Sequence, residues 1–337
     1  MKILSKVGLG PMSIEIIDIV SDFAKFHKKN IMFIATRNQI DKKEFGGGYV
    51  NNFSTEEYSN YIKNKKNKYI HLCRDHSGPL LKDSEKKISF HESLERTKES
   101  LRDDIINDFK LLHIDTSMCR NKYKIAEDLI SFCDSIASEY KKKIFYEFGT
   151  EEHGIKVAIK KFENDAAFFS NISNRMFLVG QTGSLVKEIY QVGDFDNHIV
   201  KKLVNLSRKY NLFLKEHNCD YLSNLQIQEK KNIGVNAINV APELGYLQTR
   251  TTIYLANKFN IKKSLNDYKK KILIANKWKK WIYSKNINNS NKIYCSGHYH
   301  FSSKEYKSLV KDINKFTNFK KYLKNVMFFE LKKFLQF

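Results

Sequence analysis

The chain has 337 residues, 42% of them hydrophobic, and a formal net charge of +22 at pH 7. This length and apolar content predict a large buried core, and the lack of any run of about 18 or more apolar residues argues against a membrane span. The first residues lack the apolar segment of a signal peptide, and the five cysteines are scattered without CxxC spacing. We therefore expect a cytoplasmic protein with buried thiols, without disulfides or a thiolate zinc site.

The positive charge is spread over the whole chain. Basic proteins gain affinity for nucleic acids by displacing phosphate counterions. Here, however, lysine occurs throughout the sequence together with asparagine and isoleucine, which indicates a compositional bias and solvated helix surfaces. We expect a small anionic substrate as the partner, and neither a nucleic acid nor a membrane.

Short apolar runs recur along the chain, and stretches long enough for one helix separate them. The eight runs are Lys2–Gly10, Asn30–Thr36, Lys68–His76, Phe109–Thr116, Lys143–Glu151, Arg175–Gln181, Asn211–His217 and Val235–Pro242. This alternation predicts an α/β protein with a (β/α)8 (TIM) barrel. Such a barrel takes about 250 residues, so we place it at residues 1–257. Residues 258–337 are then a helical C-terminal extension packed on the barrel.

Two segments lie outside this regular pattern. Glu44–Tyr49 holds three successive glycines after the second strand, which is typical of a loop at the rim of an active site. Ser302–Phe337 is helical in pattern and rich in Phe and Lys. This tail either packs against the flank of the barrel or forms an oligomer interface, and we expect a homo-oligomer.

Most of the runs end in polar residues of known chemical use. In a barrel the carboxyl ends of the strands meet at one mouth, where the reacting groups of these enzymes lie. His76 and His217 are candidate zinc ligands there, and Glu151 and Gln181 would join them from the fifth and sixth strands. Mixed nitrogen and oxygen donors favour zinc, with manganese or another divalent ion as the alternative.

Other strand-end residues allow two interpretations. Asp115 is either a catalytic base or a cap for the following helix. The Gly180–Gly183 turn, with Asn239 on the eighth strand, either binds phosphate or forms an ordinary turn. His298 and His300 alternate on one short segment beyond the barrel strands, which favours a structural or rim role over a second metal site.

Several motifs in order resemble one family. The chain resembles the non-catalytic (Z-type) subunit family of class II tagatose-bisphosphate aldolase, itself related to the zinc-dependent class II aldolases, which are (β/α)8 barrels. The resemblance covers residues 1 to about 255. It rests on Ile34–Gln39, Phe45–Tyr49, Ser54–Glu57, Asp75–Pro79, His113–Met118, Gly149–Glu151, Gln181, Glu216–Tyr221 and Asn239–Pro242.

The resemblance implies roles for individual residues. Asp75 would move the proton of the aldol oxygen, and His76 and His217 would be zinc ligands. Glu151 falls near the glutamate of the fifth strand, and Asn239 corresponds to the asparagine that contacts the substrate and its phosphate. Catalytic class II enzymes usually supply a histidine from the sixth strand, where this chain has Gln181, whose amide oxygen is a weaker ligand.

The preferred hypothesis is a metal-dependent class II aldolase-type lyase that acts on a phosphorylated ketose through an enediolate. An epimerase or isomerase on the same scaffold is one alternative. The other is a non-catalytic subunit that stabilises a separate tagatose-bisphosphate aldolase. The predicted catalytic residues are Asp75, Glu151 and Asp115; the metal ligands are His76, Glu151, Gln181 and His217; the substrate and phosphate contacts are Arg37, Gly180, Thr182, Gly183, Lys215 and Asn239.

Overall fold

The computed structural model describes residues 3–149, 158–180, 182, 184–193, 196–282 and 287–337. Its strands are β1 (Val7–Leu9), β2 (Ile31–Thr36), β3 (Ile70–Ser77), β4 (Leu111–Ile114), β5 (Phe145–Phe148), β6 (Arg175–Val179), β7 (Val186–Lys187), β8 (Tyr190–Gln191), β9 (Phe213–Glu216) and β10 (Ala237–Val240). Its helices are α1 (Ile14–His27), α2 (Thr55–Asn64), α3 (Phe90–Ile106), α4 (Lys122–Glu139), α5 (Ile159–Phe169), α6 (Asn197–Lys209), α7 (Asn224–Ile233), α8 (Pro242–Lys258), α9 (Lys263–Ala275), α10 (Asn289–Ser296), α11 (Lys304–Ile313) and α12 (Phe319–Leu331).

Eight of the strands close into a barrel in the order β1-β10-β9-β6-β5-β4-β3-β2, and every neighbouring pair is parallel. Each strand overlaps one of the apolar runs, and at least one helix follows each. The predicted (β/α)8 barrel is therefore confirmed. The remaining strands, β7 and β8, form a small antiparallel hairpin in the connection after β6.

Helix starts follow the capping signals in the sequence. The Ser54 hydroxyl accepts a hydrogen bond from the backbone N–H of Glu57, and the Glu57 carboxylate accepts one from the N–H of Ser54. This reciprocal pair fixes the start of α2 at Thr55. The same capping box, formed by Ser223 and Gln226, starts α7.

Successive side chains of a strand alternate between the barrel lumen and the surrounding helices. Two apolar clusters among the described residues reflect this alternation. Met32 and Ile34 of β2 belong to a small cluster with Cys73, Leu111 and Phe177, whereas Ile31, Phe33 and Ala35 join the large cluster beneath the helices. An apolar plug therefore fills part of the lumen, and the polar residues of the same inward rows lie nearer the carboxyl ends of the strands.

The last four helices, α9 to α12, follow the end of α8 at Lys258. Helix α12 packs against α1 and α8, and α10 and α11 pack against α8 and α9. None of the described helices is long and apolar enough to cross a membrane.

Candidate active site

The inward rows of four strands converge on one polar cluster. Asp75 of β3, His113 of β4 and Glu147 of β5 occupy inward positions, as do Lys215 of β9 and His217 directly after it. All five side chains are buried. The lumen of the barrel therefore holds charged and polar groups at the carboxyl ends of its strands.

Three imidazoles, which we call the histidine cluster, lie at the centre of this region. The ring centroids of His76, His113 and His217 are 4.9, 5.0 and 5.2 Å apart in pairs. Together with Asp75 they offer four ligand atoms that all lie within 4.8 Å of one another. This spacing and this mixture of nitrogen and oxygen donors fit a transition-metal or zinc site.

An irregularity in β3 brings two neighbouring residues into the cluster. In a regular strand Asp75 and His76 would point to opposite faces. The pairing of β3 with β4 shifts register between Arg74 and Ser77, and His76 has a left-handed backbone with φ of 45°. Such a backbone costs roughly 1–3 kcal/mol for a residue other than glycine. The bulge turns the imidazole of His76 into the lumen beside Asp75.

Carboxylates orient two of the three imidazoles. Nδ1 of His76 donates a hydrogen bond to Asp115 Oδ2 at 2.7 Å, and Nε2 of His217 donates to Glu147 Oε1 at 2.6 Å. In the neutral tautomers that these bonds favour, Nε2 of His76 and Nδ1 of His217 carry lone pairs. These two nitrogens face each other at 3.3 Å. Two ligands 2.0–2.1 Å from a tetrahedral zinc ion are about 3.3–3.4 Å apart. The two rings have the spacing and the carboxylate support of metal-ligating histidines.

The third imidazole is fixed by backbone groups. Nε2 of His113 donates to the carbonyl oxygen of Gly149 at 2.8 Å. Its Nδ1 accepts a hydrogen bond from the backbone N–H of His76 at 3.2 Å and lies 3.4 Å from Asp75 Oδ1. Nδ1 of His113 thus borders the same space as the other two rings, and it would have to exchange the bond from the His76 N–H for a bond to an ion there.

The electrostatics of the cluster keep its carboxylates ionised. Burial alone would raise the pKa of Asp75, but the neighbouring His76, His217 and His113 outweigh it and hold the pKa well below its usual value. The pKa of Glu147 falls to about 2 because Lys215 and the histidines outweigh its burial. In His217 burial dominates and lowers the pKa of the imidazole. A neutral imidazole beside ionised carboxylates is the state in which histidine binds a metal.

Lys215 was predicted as an anion contact. Its ammonium lies 2.5 Å from Glu147 Oε2, and both side chains are only 1% exposed. This ion pair holds the Glu147 carboxylate in place against His217. The position of Lys215 therefore favours a supporting role behind the histidine cluster.

Arg37 was predicted as a further anion contact, and the structure places it elsewhere. Its guanidinium pairs with Glu85 and bonds the hydroxyls of Ser100 at 3.0 Å and Thr97 at 3.1 Å. These partners lie on or near α3, outside the lumen. With a side chain 1% exposed, Arg37 has a structural role in this arrangement, because its donors are engaged by protein groups.

Asn239 on β10, which was predicted to contact the substrate, is buried in the lumen. It is 3% exposed, and within the described part of the chain neither its Oδ1 nor its Nδ2 has a hydrogen-bond partner. Its side chain lies over Gly8 of β1, where a Cβ would come within 2.2 Å of Oδ1. A buried amide without partners is rare in native proteins and marks a group that a ligand can satisfy.

The remaining predictions fall around the sixth strand or outside the described residues. Thr182 is buried, with its Oγ1 3.2 Å from the hydroxyl of Ser184. At Gly180 a Cβ would lie 2.6 Å from Leu214 Cδ1, so packing against Leu214 favours glycine at this position. Glu151, Gln181 and Gly183 lie outside the described residues.

Sequence reasoning missed two members of the site, His113 and Glu147. It selected polar residues at the ends of the apolar runs, whereas both of these lie inside their strands. The missed signal was the alternation within a strand. In Phe145–Phe148 only one residue is charged, and it occupies the inward row.

Solved structures share this fold, whereas neither protein-family models nor curated proteins match the chain. A probable tagatose 6-phosphate kinase from Sinorhizobium meliloti 1021 superposes with a TM-score of 0.74 at 17% identity, over 92% of this chain and 87% of that one. A fructuronate-tagaturonate epimerase from Cohnella laeviribosi gives 0.59 at 11% identity, over 98% and 81%. A fructose-bisphosphate aldolase from Campylobacter jejuni gives 0.55 at 11%, over 92% and 90%. At these identities the likeness shows a shared barrel fold.

Proposed function

We propose that this chain is a metal-dependent enzyme that acts on a phosphorylated ketose through an enediolate, with carbon–carbon bond cleavage of the class II aldolase type as its reaction. The observation that carries the proposal is the pair of facing nitrogens of His76 and His217, 3.3 Å apart. Each of these rings is held from behind by a carboxylate. The resemblance to the class II aldolase families and the barrel fold support the choice of substrate and reaction.

The donor set fits a divalent ion. His76, His113 and His217 would hold it, and zinc suits three imidazoles with a nearby carboxylate. The carboxylates of Asp115 and Glu147 behind two of the ligands give the arrangement that raises ligand basicity and fixes ring orientation. When bound, such an ion supplies positive charge that stabilises oxygen anions of a ketose substrate.

Asp75 is then the residue that moves a proton. Its Oδ1 lies 3.4 Å from His113 Nδ1 and 3.9 Å from His217 Nε2, so the carboxylate borders the space where a substrate oxygen would lie. Because its pKa is held low, it is ionised at neutral pH and can accept a proton from a substrate hydroxyl. In cleavage this proton would come from the hydroxyl that becomes the aldehyde oxygen.

Asn239 binds and orients the substrate in this proposal. An amide offers both a carbonyl acceptor and two N–H donors, so it can bond a sugar hydroxyl or a phosphate oxygen. Its burial in the lumen excludes competing water from these bonds. Binding at Asn239 would place the carbon chain of the substrate across the mouth of the barrel towards Asp75.

The direct test is turnover by the zinc-loaded protein. We expect release of dihydroxyacetone phosphate from D-tagatose 1,6-bisphosphate or D-fructose 1,6-bisphosphate, measured by coupled NADH oxidation, and loss of this activity with a chelator. His76→Ala should abolish it. His71→Ala is the matched control, because His71 lies near the start of the same strand, at the opposite end of the barrel, and bonds Asn30 at 3.2 Å.

The other outcomes separate the alternatives. Deuterium uptake from solvent into the substrate without cleavage would assign an epimerase or isomerase. Inactivity alone, with stabilisation of a separate class II aldolase on mixing, would assign a non-catalytic subunit. Absence of bound metal, turnover and any effect on such an aldolase would contradict the proposal.

A further inference from the structure

The C-terminal part of the chain lies over the carboxyl end of the barrel. Lys277 Nζ pairs with Asp83 Oδ2 of the β3–α3 connection at 3.1 Å. The backbone N–H of Glu188, in the β7–β8 hairpin, donates to the carbonyl of Trp281 at 2.7 Å. Ser302 accepts a bond at 2.9 Å from the N–H of Asn51, in the β2–α2 connection. Residues 277–282 and 287–302 therefore contact loops that follow several barrel strands.

His298 is a buried polar residue of this segment. It lies in the short helical turn Gly297–His300 and packs against the first turn of α8, where a Cβ at Gly245 would come within 2.7 Å of its Cβ. The rings of Tyr49 and Trp281 lie 5.9 and 6.2 Å from its own. Helix α8 follows β10, and Tyr49 belongs to the connection after β2. His298 is thus placed at the β10–β1–β2 side of the barrel mouth.

The imidazole of His298 has no partner in the described part of the chain. The residue is 1% exposed, and neither Nδ1 nor Nε2 makes a hydrogen bond to a described residue. Buried polar atoms in native proteins are almost always bonded, and an exception calls for a ligand, an ordered water or a functional reason. Asn239, the other buried group without partners described above, projects from β10 on the same side of the barrel. His298 therefore offers two ring nitrogens that no described residue bonds.

The chemistry of His298 selects the ligand group. Burial, together with the charges of Lys280 and His300, lowers the pKa of the imidazole well below its usual value, so the ring is neutral at pH 7. A neutral imidazole offers one donor and one acceptor, and a hydroxyl group also donates and accepts. A phosphate oxygen would use only the donor, and the neutral ring would not balance its charge.

We infer that His298 is a substrate-binding residue that holds a hydroxyl group of a sugar chain at the β10–β1–β2 side of the pocket. The identification of that chain as a phosphorylated ketose rests on the proposed function. The carbons of the ketose that carry free hydroxyl groups would then lie under the C-terminal segment. The segment completes the pocket and contributes to the choice of substrate.

The test uses D-glucitol 6-phosphate, a polyol phosphate that has no carbonyl and cannot react. We expect His298→Phe to raise its dissociation constant about tenfold, as for loss of one or two hydrogen bonds, and to leave that of inorganic phosphate unchanged. His298→Gln, which keeps a donor and an acceptor, should retain most of the affinity. His71→Phe, at the opposite end of the barrel, is the control. Calorimetric titration measures the dissociation constants of the full-length wild type and of the three full-length variants.

A second measurement uses the unmodified chain and does not depend on metal or turnover. D-glucitol and D-glucitol 6-phosphate should shift the imidazole ¹⁵N signals of His298 in protein labelled at histidine. A shift with D-glucitol in a protein that shows no metal binding or cleavage would uphold the inference while the proposed function fails. Unshifted signals with both compounds, or equal affinity of the wild type and His298→Phe, would overturn it.

Discussion

Two buried clusters of charge lie back to back on either side of β3. On the helix side, Arg37, Arg74 and Lys82 face Asp41, Glu85 and Asp104, so three cations meet three carboxylates. On the lumen side, Asp75, Asp115 and Glu147 face one ammonium, Lys215, and three imidazoles. Counted over the described residues, and with the imidazoles in the neutral form that binds a metal, these groups carry two more negative than positive charges, which a divalent cation would neutralise.

The outer cluster is a structural network and the lumen cluster is a candidate binding site, although both consist of charged residues near strand ends in the sequence. The outer network is complete, because Arg74 forms two bonds to Asp104 at 2.5 and 2.7 Å and its other donors reach the carbonyls of Ala35 and Ile40. In the lumen, Nε2 of His76 and Nδ1 of His217 lie 3.3 Å apart, a spacing that two ligands of one ion would have. Burial and charge alone therefore do not identify a site, and the balance of donors and acceptors does.

The largest effect is expected from removing a histidine of the cluster. His217→Ala should lower the affinity for zinc by at least about a thousandfold, because it removes a ligand and leaves Glu147 without its imidazole partner. Competition with a chromophoric chelator measures this affinity. His71→Ala should bind zinc as the wild type does, and an unchanged affinity of His217→Ala would contradict the distinction between the two clusters.

Breaking the outer network should lower the stability of the fold and leave the affinity for zinc unchanged. Arg74→Met leaves Asp104 buried without its partner, and loss of one member of a buried ion pair costs about 3–5 kcal/mol. Urea unfolding in the presence of a chelator measures this loss. The double variant Arg74→Met with Asp104→Leu should recover most of it, and a stable single variant would show that the network is not structural.

Glu147→Gln tests the support behind His217 with a smaller change. The amide can still accept the hydrogen bond from His217 but carries no charge, and Lys215 is left without a partner. Changes of this kind in the groups behind metal ligands typically lower metal affinity about 10–100-fold. Zinc titration measures the loss. The matched variant Glu85→Gln in the outer network should leave zinc affinity unchanged.

The pH dependence of stability should reveal Asp104 in the outer network. Burial outweighs Arg74 and raises the pKa of Asp104 to about 6 from its ordinary 3.8. A carboxyl whose pKa is raised in the folded state stabilises the fold below its unfolded pKa, and this contribution disappears as the pH rises through the folded value. Because of Asp104, we expect the free energy of unfolding to fall by about 1–3 kcal/mol as the pH rises from 4 to 7.

The measurement is the urea midpoint of the metal-free protein at several pH values, compared with Asp104→Asn. The variant has no titrating group at this position, so its curve should lack the component between pH 4 and 7. Identical curves for the two proteins would show that Asp104 titrates normally.

The fold was predictable because each barrel strand overlaps an apolar run, and parallel strands separated by helices have few alternatives. His217 and Asn239 could be located for the same reason, since they lie at the ends of such runs. Arg37 also follows a strand, but its partner Glu85 is 48 residues further along the chain. No local sequence pattern predicts the pairing of Arg37 with Glu85. The charged Arg37 at a strand end was therefore interpreted as a contact for an anionic ligand.

The rest of the site depends on geometry that the sequence does not show. The predicted fifth run extended to Glu151, which lies outside the described residues. The described part of the cluster contains Glu147, which lies inside β5. His76 reaches the lumen only through the bulge in β3, and a regular strand would have excluded either His76 or Asp75. Both outcomes depend on strand pairing, which involves residues distant in sequence.

The central claim is that the histidine cluster holds one divalent ion between His76 and His217. The most direct measurement is a crystal structure of the zinc-loaded chain with anomalous diffraction data collected at the zinc edge. We expect one strong peak in the lumen, about 2.0–2.1 Å from His76 Nε2 and His217 Nδ1. A lumen without such a peak in zinc-saturated crystals, or a zinc ion bound only elsewhere, would contradict it.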